Sequence, residues 1–305
     1  MHLERMASIF DFYYYKKIKK RRKYEKELFL DDPLWELRKQ ILNYYKSQSV
    51  KDKYLKDAIK YIRKEGMSVF PYHFREKYKK SDIVVYSDSE SGMNYVKHDN
   101  KNLYFPPDMD EKDVQTVYSS LLVEQDPQSP HRYLSEEFNI DPDSILMDIG
   151  AAEGILSLDL VEKVHKVFLF EVDERWIKAL SKTFEPWKEK IVIINKYVSD
   201  IDNETSVKLD TLKSQFDRNS IFLKLDVEGA EEKVLKGAQD ILTSDKYNCK
   251  SAICTYHNQK DYDTLSRLMT NFGYNVEATD GYMLFIYDPH ISAPYFRKGL
   301  IRCQR

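Results

Sequence analysis

Between Lys224 and Glu231 the chain reads Lys-Leu-Asp-Val-Glu-Gly-Ala-Glu, closing a β-prone run, Ile221–Val227. Strand periodicity puts Lys224, Asp226 and Glu228 on one side until the chain turns. Ionisable groups in so apolar a setting are costly unless they pair with one another or serve a site. An internal ion pair of Lys224 and a reactive cluster are therefore both open. A second run, Asp148-Ile149-Gly150-Ala151-Ala152-Glu153-Gly154, leads from a strand straight into a helical stripe. Small residues at Gly150, Ala151, Ala152 and Gly154 let a ligand approach the backbone at the carboxyl end of that strand, where open α/β sheets bind their ligands. Glu171 closes the next strand, 23 residues past Asp148. A carboxylate there can accept both hydroxyls of an adenosine ribose.

Charge narrows the ligand. A pyrophosphate would be unwelcome beside Asp148 and Glu153, and a dinucleotide loop prefers glycine where Ala152 stands. A cation suits the loop: S-adenosylmethionine carries a sulfonium and an ammonium and no phosphate. Asp173 is placed to cap the helix that follows Glu171. Ser199, in Tyr197-Val198-Ser199-Asp200 beyond the third strand, either lines an adenine pocket or belongs to an ordinary capped turn.

These residues need a scaffold. Buried-strand runs at Ile145–Ile149, Val167–Glu171, Ile191–Ile194, Ile221–Val227 and Ser251–Tyr256 alternate with helical stripes at Gly154–Val164, Arg175–Phe184 and Ala230–Leu242. That alternation predicts a parallel sheet flanked by helices. A helix over Asp261–Phe272 then leads to Tyr274–Val276 and Met283–Tyr287, whose short turn through Asp280-Gly281 predicts a hairpin with one strand antiparallel to the rest. Upstream, helical spacing starts at Asp32-Pro33 and recurs from Tyr54 to Gly66. Short β-prone runs at Ile83–Tyr86, Met93–Val96 and Asn102–Phe105 predict a meander, and a helix follows over Asp110–Leu122. The division expected is an α+β accessory region, residues 1–135, before an α/β unit, residues 136–305.

The 305 residues carry 48 Lys+Arg against 50 Asp+Glu, a net charge of -2, so no global positive field draws the protein to nucleic acid. Three cysteines are too few for a disulfide framework or a four-thiolate zinc site and point to a reducing compartment. With no spanning apolar run and no secretory signal at Met1–Phe12, a cytoplasmic protein is expected. Residues 10–26 combine aromatics with eight Lys/Arg between Lys16 and Lys26, a run opposed only by Glu25. They read either as a solvated helix or frayed end with a few docking tyrosines, or as a peripheral contact with an anionic membrane.

In order and spacing, Asp148-x-Gly150-Ala151-x-x-Gly154, Phe170-Glu171 and Lys224-x-Asp226-Val227-Glu228-Gly229-x-Glu231 resemble the FkbM-type S-adenosylmethionine-dependent methyltransferases. The likeness covers roughly Ser144 to Tyr287, and the third run is its distinctive part. It implies a class I methyltransferase (Rossmann-like) seven-stranded sheet with an antiparallel last strand, and O-methylation of sugars or other hydroxylated metabolites. By the match, Asp148, Gly150, Glu153 and Glu171 contact the cofactor, while Asp226 and Glu228 lie near the transferred methyl. Val172 departs from the proline that often follows the second-strand glutamate.

The fifth strand ends in Cys254-Thr255-Tyr256-His257-Asn258, where the family often has an acidic residue, so His257 sits where the acceptor arrives. A sugar hydroxyl must lose a proton, and His257 is the expected general base, with Asp226 or Glu228 orienting it. A histidine bonded only to backbone is the plain alternative. A divalent metal held by Asp226, Glu228 and His257 is a third. His131, Arg132 and Tyr133, just ahead of the first strand, either close the pocket and meet an anionic group of the substrate or form a surface linker. The expected partner is a sugar or glycan acceptor, from a surface polysaccharide or its nucleotide-linked precursor. Enzymes methylating planar amino groups usually carry Asn/Asp-Pro-Pro-aromatic after the fourth strand, where this chain has Asp226-Val227-Glu228-Gly229. The remaining rival is a non-catalytic adaptor that retains the fold.

Overall fold

The helix Lys53–Lys64 shows how local sequence sets the N-terminal layer. Asp52 caps it by accepting from the Leu55 N–H at 2.9 Å, and Ala58, Ile59, Tyr61 and Ile62 recur on one face. That face packs on Ile41 and Tyr45 of the preceding helix, Pro33–Lys46. The computed structural model describes residues 33–305; the basic, aromatic segment 10–26 and the Asp32 signal lie outside the described residues. β1 (Tyr86–Ser87), β2 (Asn94–His98) and β3 (Lys101–Tyr104) form the antiparallel meander. Its two-residue turn holds Asp99 and Asn100 at φ 45° and 65°, a left-handed pair that suits such a hairpin. The helix Glu111–Glu124 begins in a reciprocal capping box between Asp110 and Asp113.

The sheet follows from β4 (Ile145–Ile149), β5 (Lys166–Phe170), β6 (Ile191–Ile194), β9 (Ser220–Leu225), β10 (Asn248–Cys254), β11 (Asn275–Ala278) and β12 (Leu300–Gln304). A small ladder of β7 (Tyr197–Val198) and β8 (Ser206–Val207) stands apart. The order is β6-β5-β4-β9-β10-β12-β11; the strands from β6 to β10 run parallel, and β12 is antiparallel to both β10 and β11. This is the class I methyltransferase arrangement. Alternate side chains divide between two cores. Leu146, Leu169 and Phe222 join Val96, Leu103, Phe105 and Tyr118 of the N-terminal elements. Ile145, Met147, Phe168 and Leu223 pack on Val234, Leu235 and Leu265 behind the sheet. No helix among the described residues is long and apolar enough to cross a membrane.

Two expectations are corrected. The partner of β11 is not Met283–Tyr287 but β12, with Asn275 opposite Gln304. Met283 makes only an isolated bridge to Arg297, while Leu284 and Phe296 are buried against Ile41, Tyr45 and Ile62. The apolar run buries itself on the N-terminal helices, and tertiary packing overrides its β-propensity. The stripe Ala230–Leu242 splits into helices Glu231–Lys236 and Gln239–Thr243. Between them, a side chain on Gly237 would lie 2.0 Å from the Ser199 carbonyl oxygen.

Candidate active site

From β4 the chain steps outward to β5 and β6 and then returns to β9 on the other side, so β4 and β9 flank a topological switch point. The Gly150 loop leaves one strand there and Asp226 leaves the other. Their backbones close on each other: the Asp226 N–H donates to the Ile149 carbonyl at 3.1 Å, and a Cβ on Gly150 (φ 76°) would lie 2.0 Å from the Asp226 carbonyl oxygen. Glycine at position 150 is thus a packing requirement. Glu171, at the end of β5, reaches back over this loop. Its Oε2 accepts from the Ala152 N–H and its Oε1 from the Val172 and Asp173 N–H groups, each at 2.8 Å. A carboxylate offers roughly four acceptor positions, so room remains for a hydroxyl.

Asp148 is 1% exposed; its oxygens meet Ser157 Oγ at 2.7 Å and Lys224 Nζ at 3.0 Å. Lys224 also donates to the Gly150 carbonyl and lies over the Tyr133 ring. Burial works against the ammonium, but Asp148, Asp226 and Glu153 outweigh it and hold the Lys224 pKa above the ordinary lysine value. The internal ion pair is the arrangement found. Glu153 is half-buried and forms no ion pair among the described residues; burial pushes its carboxyl up to about 8, with the Lys224 charge and its own backbone N–H opposing the rise. Ala151 is buried beside it, and Gly154 begins the next helix at φ 72°. Ser199 lies apart from this group, its hydroxyl donating to Asp200. The carboxyls of Glu153 and the anchored Glu171 fit a cationic nucleoside such as S-adenosylmethionine and oppose a phosphate.

Asp226 is the hub of a second cluster, on the β10 side of the switch point. Oδ2 accepts from Tyr133 Oη at 3.1 Å and lies 3.5 Å from His131 Nε2; Oδ1 accepts from Tyr256 Oη at 3.2 Å and lies 3.4 Å from His257 Nε2. Burial alone would raise its carboxyl, but His131, His257 and Lys224 hold it below the usual carboxylate range. Burial and the Asp226 charge push both tyrosine hydroxyls well above the ordinary phenol range. The tyrosines are donors and Asp226 a fixed anion; the imidazoles remain as proton acceptors. His131 also touches Cys254 Sγ at 3.4 Å. Arg132 has a half-buried side chain with no bond of its own among the described residues.

Glu228 does not join this cluster: β9 ends at Leu225, and the turn carries Glu228 into solvent at φ 53°. Glu231 stands against His257 instead, its Oε1 2.8 Å from Nδ1. The signal for Glu231 was its place in the distinctive run. Glu124, at the end of its helix, was missed because nothing local marks it. Burial raises its carboxyl, with Asp226 adding to the effect and His131 and Lys224 opposing it. Arg297 was missed too; it donates to the Tyr256 and His257 carbonyls and pairs with Asp288, pinning the loop after β10. Donor atoms of Asp226, Glu231 and His257 lie within 4.8 Å of one another. However, the Asp226 oxygens already accept from tyrosines and Glu231 accepts from the Val227 N–H at 3.1 Å, so the set reads as a hydrogen-bond network. A groove of about 590 Å³ between the β2–β3 hairpin and Lys182–Trp187 shares none of these residues.

The methyltransferase FkbM domain matches residues 116–276, more than half of the sequence. The chain belongs to the FkbM methyltransferase family. Use of S-adenosylmethionine is general in methyltransferases of this kind. Among solved structures, the chain is similar to a methyltransferase FkbM from Methylobacillus flagellatus KT, at 18% identity over 63% of this chain with a TM-score of 0.42. It spans 54% of the length of that protein. It is also similar to a precorrin-6y C5,15-methyltransferase from Geobacter metallireducens GS-15, at 12% identity over 55% of this chain and 84% of the other, with a TM-score of 0.38. No curated protein matches the sequence.

Proposed function

We propose that this FkbM methyltransferase uses S-adenosylmethionine to methylate a hydroxyl of a sugar or glycan, with His257 as general base. The carrying observation is an imidazole just beyond the carboxyl end of β10, 3.4 Å from Asp226, which leaves β9 beside the switch point. His131 is closed in by Phe70, Tyr133 and Tyr256 and is 1% exposed; His257 is 9% exposed and is the better placed of the two imidazoles. The carbohydrate class rests on the family resemblance. The unpaired guanidinium of Arg132 supports an acceptor bearing an anionic group, as a nucleotide-linked sugar does.

Bound S-adenosylmethionine supplies an activated methyl whose bonding pair stays on sulfur as it leaves. Glu171 would hold a ribose hydroxyl, and Glu153, which burial keeps protonated in the free protein, would supply negative charge once a cation displaces its proton. Tyr133, Tyr256 and Asp226 wall the acceptor. His257 Nε2 would take the proton of the acceptor hydroxyl. The contribution expected of such a base is about 10²–10⁴-fold.

Calorimetry with S-adenosylmethionine and its demethylated product, followed by an acceptor screen over hydroxylated sugars, tests this reading. Glu171→Ala should lose binding, while His257→Ala should bind as wild type and lose transfer by about 10²–10⁴-fold. A folded wild type that binds neither ligand would overturn the proposal. Full transfer by His257→Ala would remove the base.

A further inference from the structure

A carboxylate that is 1% exposed needs polar partners to remain in place, and Glu231 has one hydrogen bond and one close imidazole contact. Its Oε1 accepts from the Val227 N–H at 3.1 Å and lies 2.8 Å from His257 Nδ1. The turn that delivers it is built for the purpose. Glu228 and Gly229 at φ 53° and 95° reverse the chain after β9, and a Cβ on Gly229 would meet Asn258 Nδ2 at 2.7 Å, so the turn packs on the residue next to His257.

On the other side of the ring, Nε2 is 3.4 Å from Asp226 Oδ1, longer than the roughly 2.9 Å of a good N–H···O bond. The two nitrogens are therefore unequal: Nδ1 lies 2.8 Å from the buried Glu231 carboxylate, although the ring N–H is not aligned on it in this conformation, and Nε2 stands farther from Asp226.

We infer that Glu231 is the positioning residue for His257, holding the ring proton on Nδ1 so that the Nε2 lone pair faces the acceptor. This rests on the reading of His257 as base. The groups facing the imidazole are Glu231 from the helix after β9, Asp226 from the end of β9, Asp261 from the helix Asp261–Asn271, the Tyr256 ring at 4.1 Å and Phe285 at 5.7 Å. Arg297 binds the His257 carbonyl. Burial lowers the imidazole pKa, and the Glu231 bond followed by the Asp226, Glu231 and Asp261 charges brings it above the ordinary value. Three carboxylates act on His257, and Glu231 lies nearer to it than Asp226 does, at 2.8 Å against 3.4 Å.

The test is ¹⁵N NMR of the His257 ring in the full chain without ligands, in wild type, Glu231→Gln and Glu232→Gln. Glu232 is exposed and paired with Lys236 at 2.7 Å, and so serves as the control. Wild type should show the Nδ1–H tautomer once neutral. Glu231→Gln should lower the proton affinity of His257 by about tenfold or more, and Glu232→Gln should leave it unchanged. In the transfer assay, the acid limb of the pH profile of Glu231→Gln should move to lower pH with a loss in kcat. An unchanged titration in Glu231→Gln, or an Nε2–H tautomer in wild type, would overturn the assignment. Should Glu231→Gln not fold, the wild-type tautomer decides alone. The spectra need neither methyl donor nor acceptor, so a failure of the base reading, seen as full transfer by His257→Ala, is distinguishable from a failure of the Glu231 pairing.

Discussion

Replacing Lys224 by methionine keeps the length of the side chain and removes its charge from beneath the Gly150 loop. Lys224 and Asp148 form an ion pair of 3.0 Å with side-chain exposures of 7% and 1%. Without the ammonium, Asp148 keeps only the Ser157 hydroxyl at 2.7 Å. Breaking a buried pair from one side costs about 3–5 kcal/mol, because the surviving charge is left without compensation. The lost bond to the Gly150 carbonyl places this variant toward the upper end. Equilibrium urea unfolding should show the midpoint falling at unchanged slope, and at about 2–4 °C per kcal/mol the Tm should fall by roughly 6–20 °C. The double variant Lys224→Met/Asp148→Asn removes both charges and should recover a large part of the loss. A cost below about 1 kcal/mol for Lys224→Met, or a double variant as unstable as the sum of the two singles, would refute the view that the pair is a mutually dependent buried unit.

Three further outcomes follow from the same geometry. Glu153, raised to about 8, holds its proton at pH 7, and a cationic ligand should expel it. S-adenosylmethionine binding should therefore release protons, read as a buffer-dependent enthalpy that is absent in Glu153→Gln; a buffer-independent wild type would contradict this. Gly150→Ala forces a Cβ to 2.0 Å from the Asp226 carbonyl at φ 76°, and should lower the Tm and abolish ligand binding; an unchanged Tm would show that the close approach is not required. His257 titrates above its ordinary 6.5. Its stabilising effect is complete below pH 6.5 and is lost as pH rises through the raised value, while transfer by the neutral imidazole increases over the same interval. Stability and kcat measured across that window should move in opposite directions, and parallel movement would argue against His257 as base.

The sequence alone determined the sheet and the small-residue loop at its switch point, because both are written locally. Apolar runs of strand length between helical stripes specify parallel strands, and a loop that leaves its strand at Gly150 keeps its small residues together in sequence. The antiparallel last strand was also legible, although its identity was not: Met283–Tyr287 and Leu300–Gln304 are both apolar, and only the N-terminal helices covering Leu284 and Phe296 decide between them. The tertiary structure alone decided the partners of the charged groups. Lys224 could have joined the reacting atoms or an ion pair, and β4 beside β9 delivers Asp148 to it. Glu228 and Glu231 are equally acidic in the sequence; a left-handed turn exposes the first and presses the second onto His257. Arg297 and Glu124 come from segments distant in the chain, and no spacing rule links them to β9 or β10. Local pattern fixes which backbone elements form, whereas the pairing of buried charges depends on which elements become neighbours when the sheet closes.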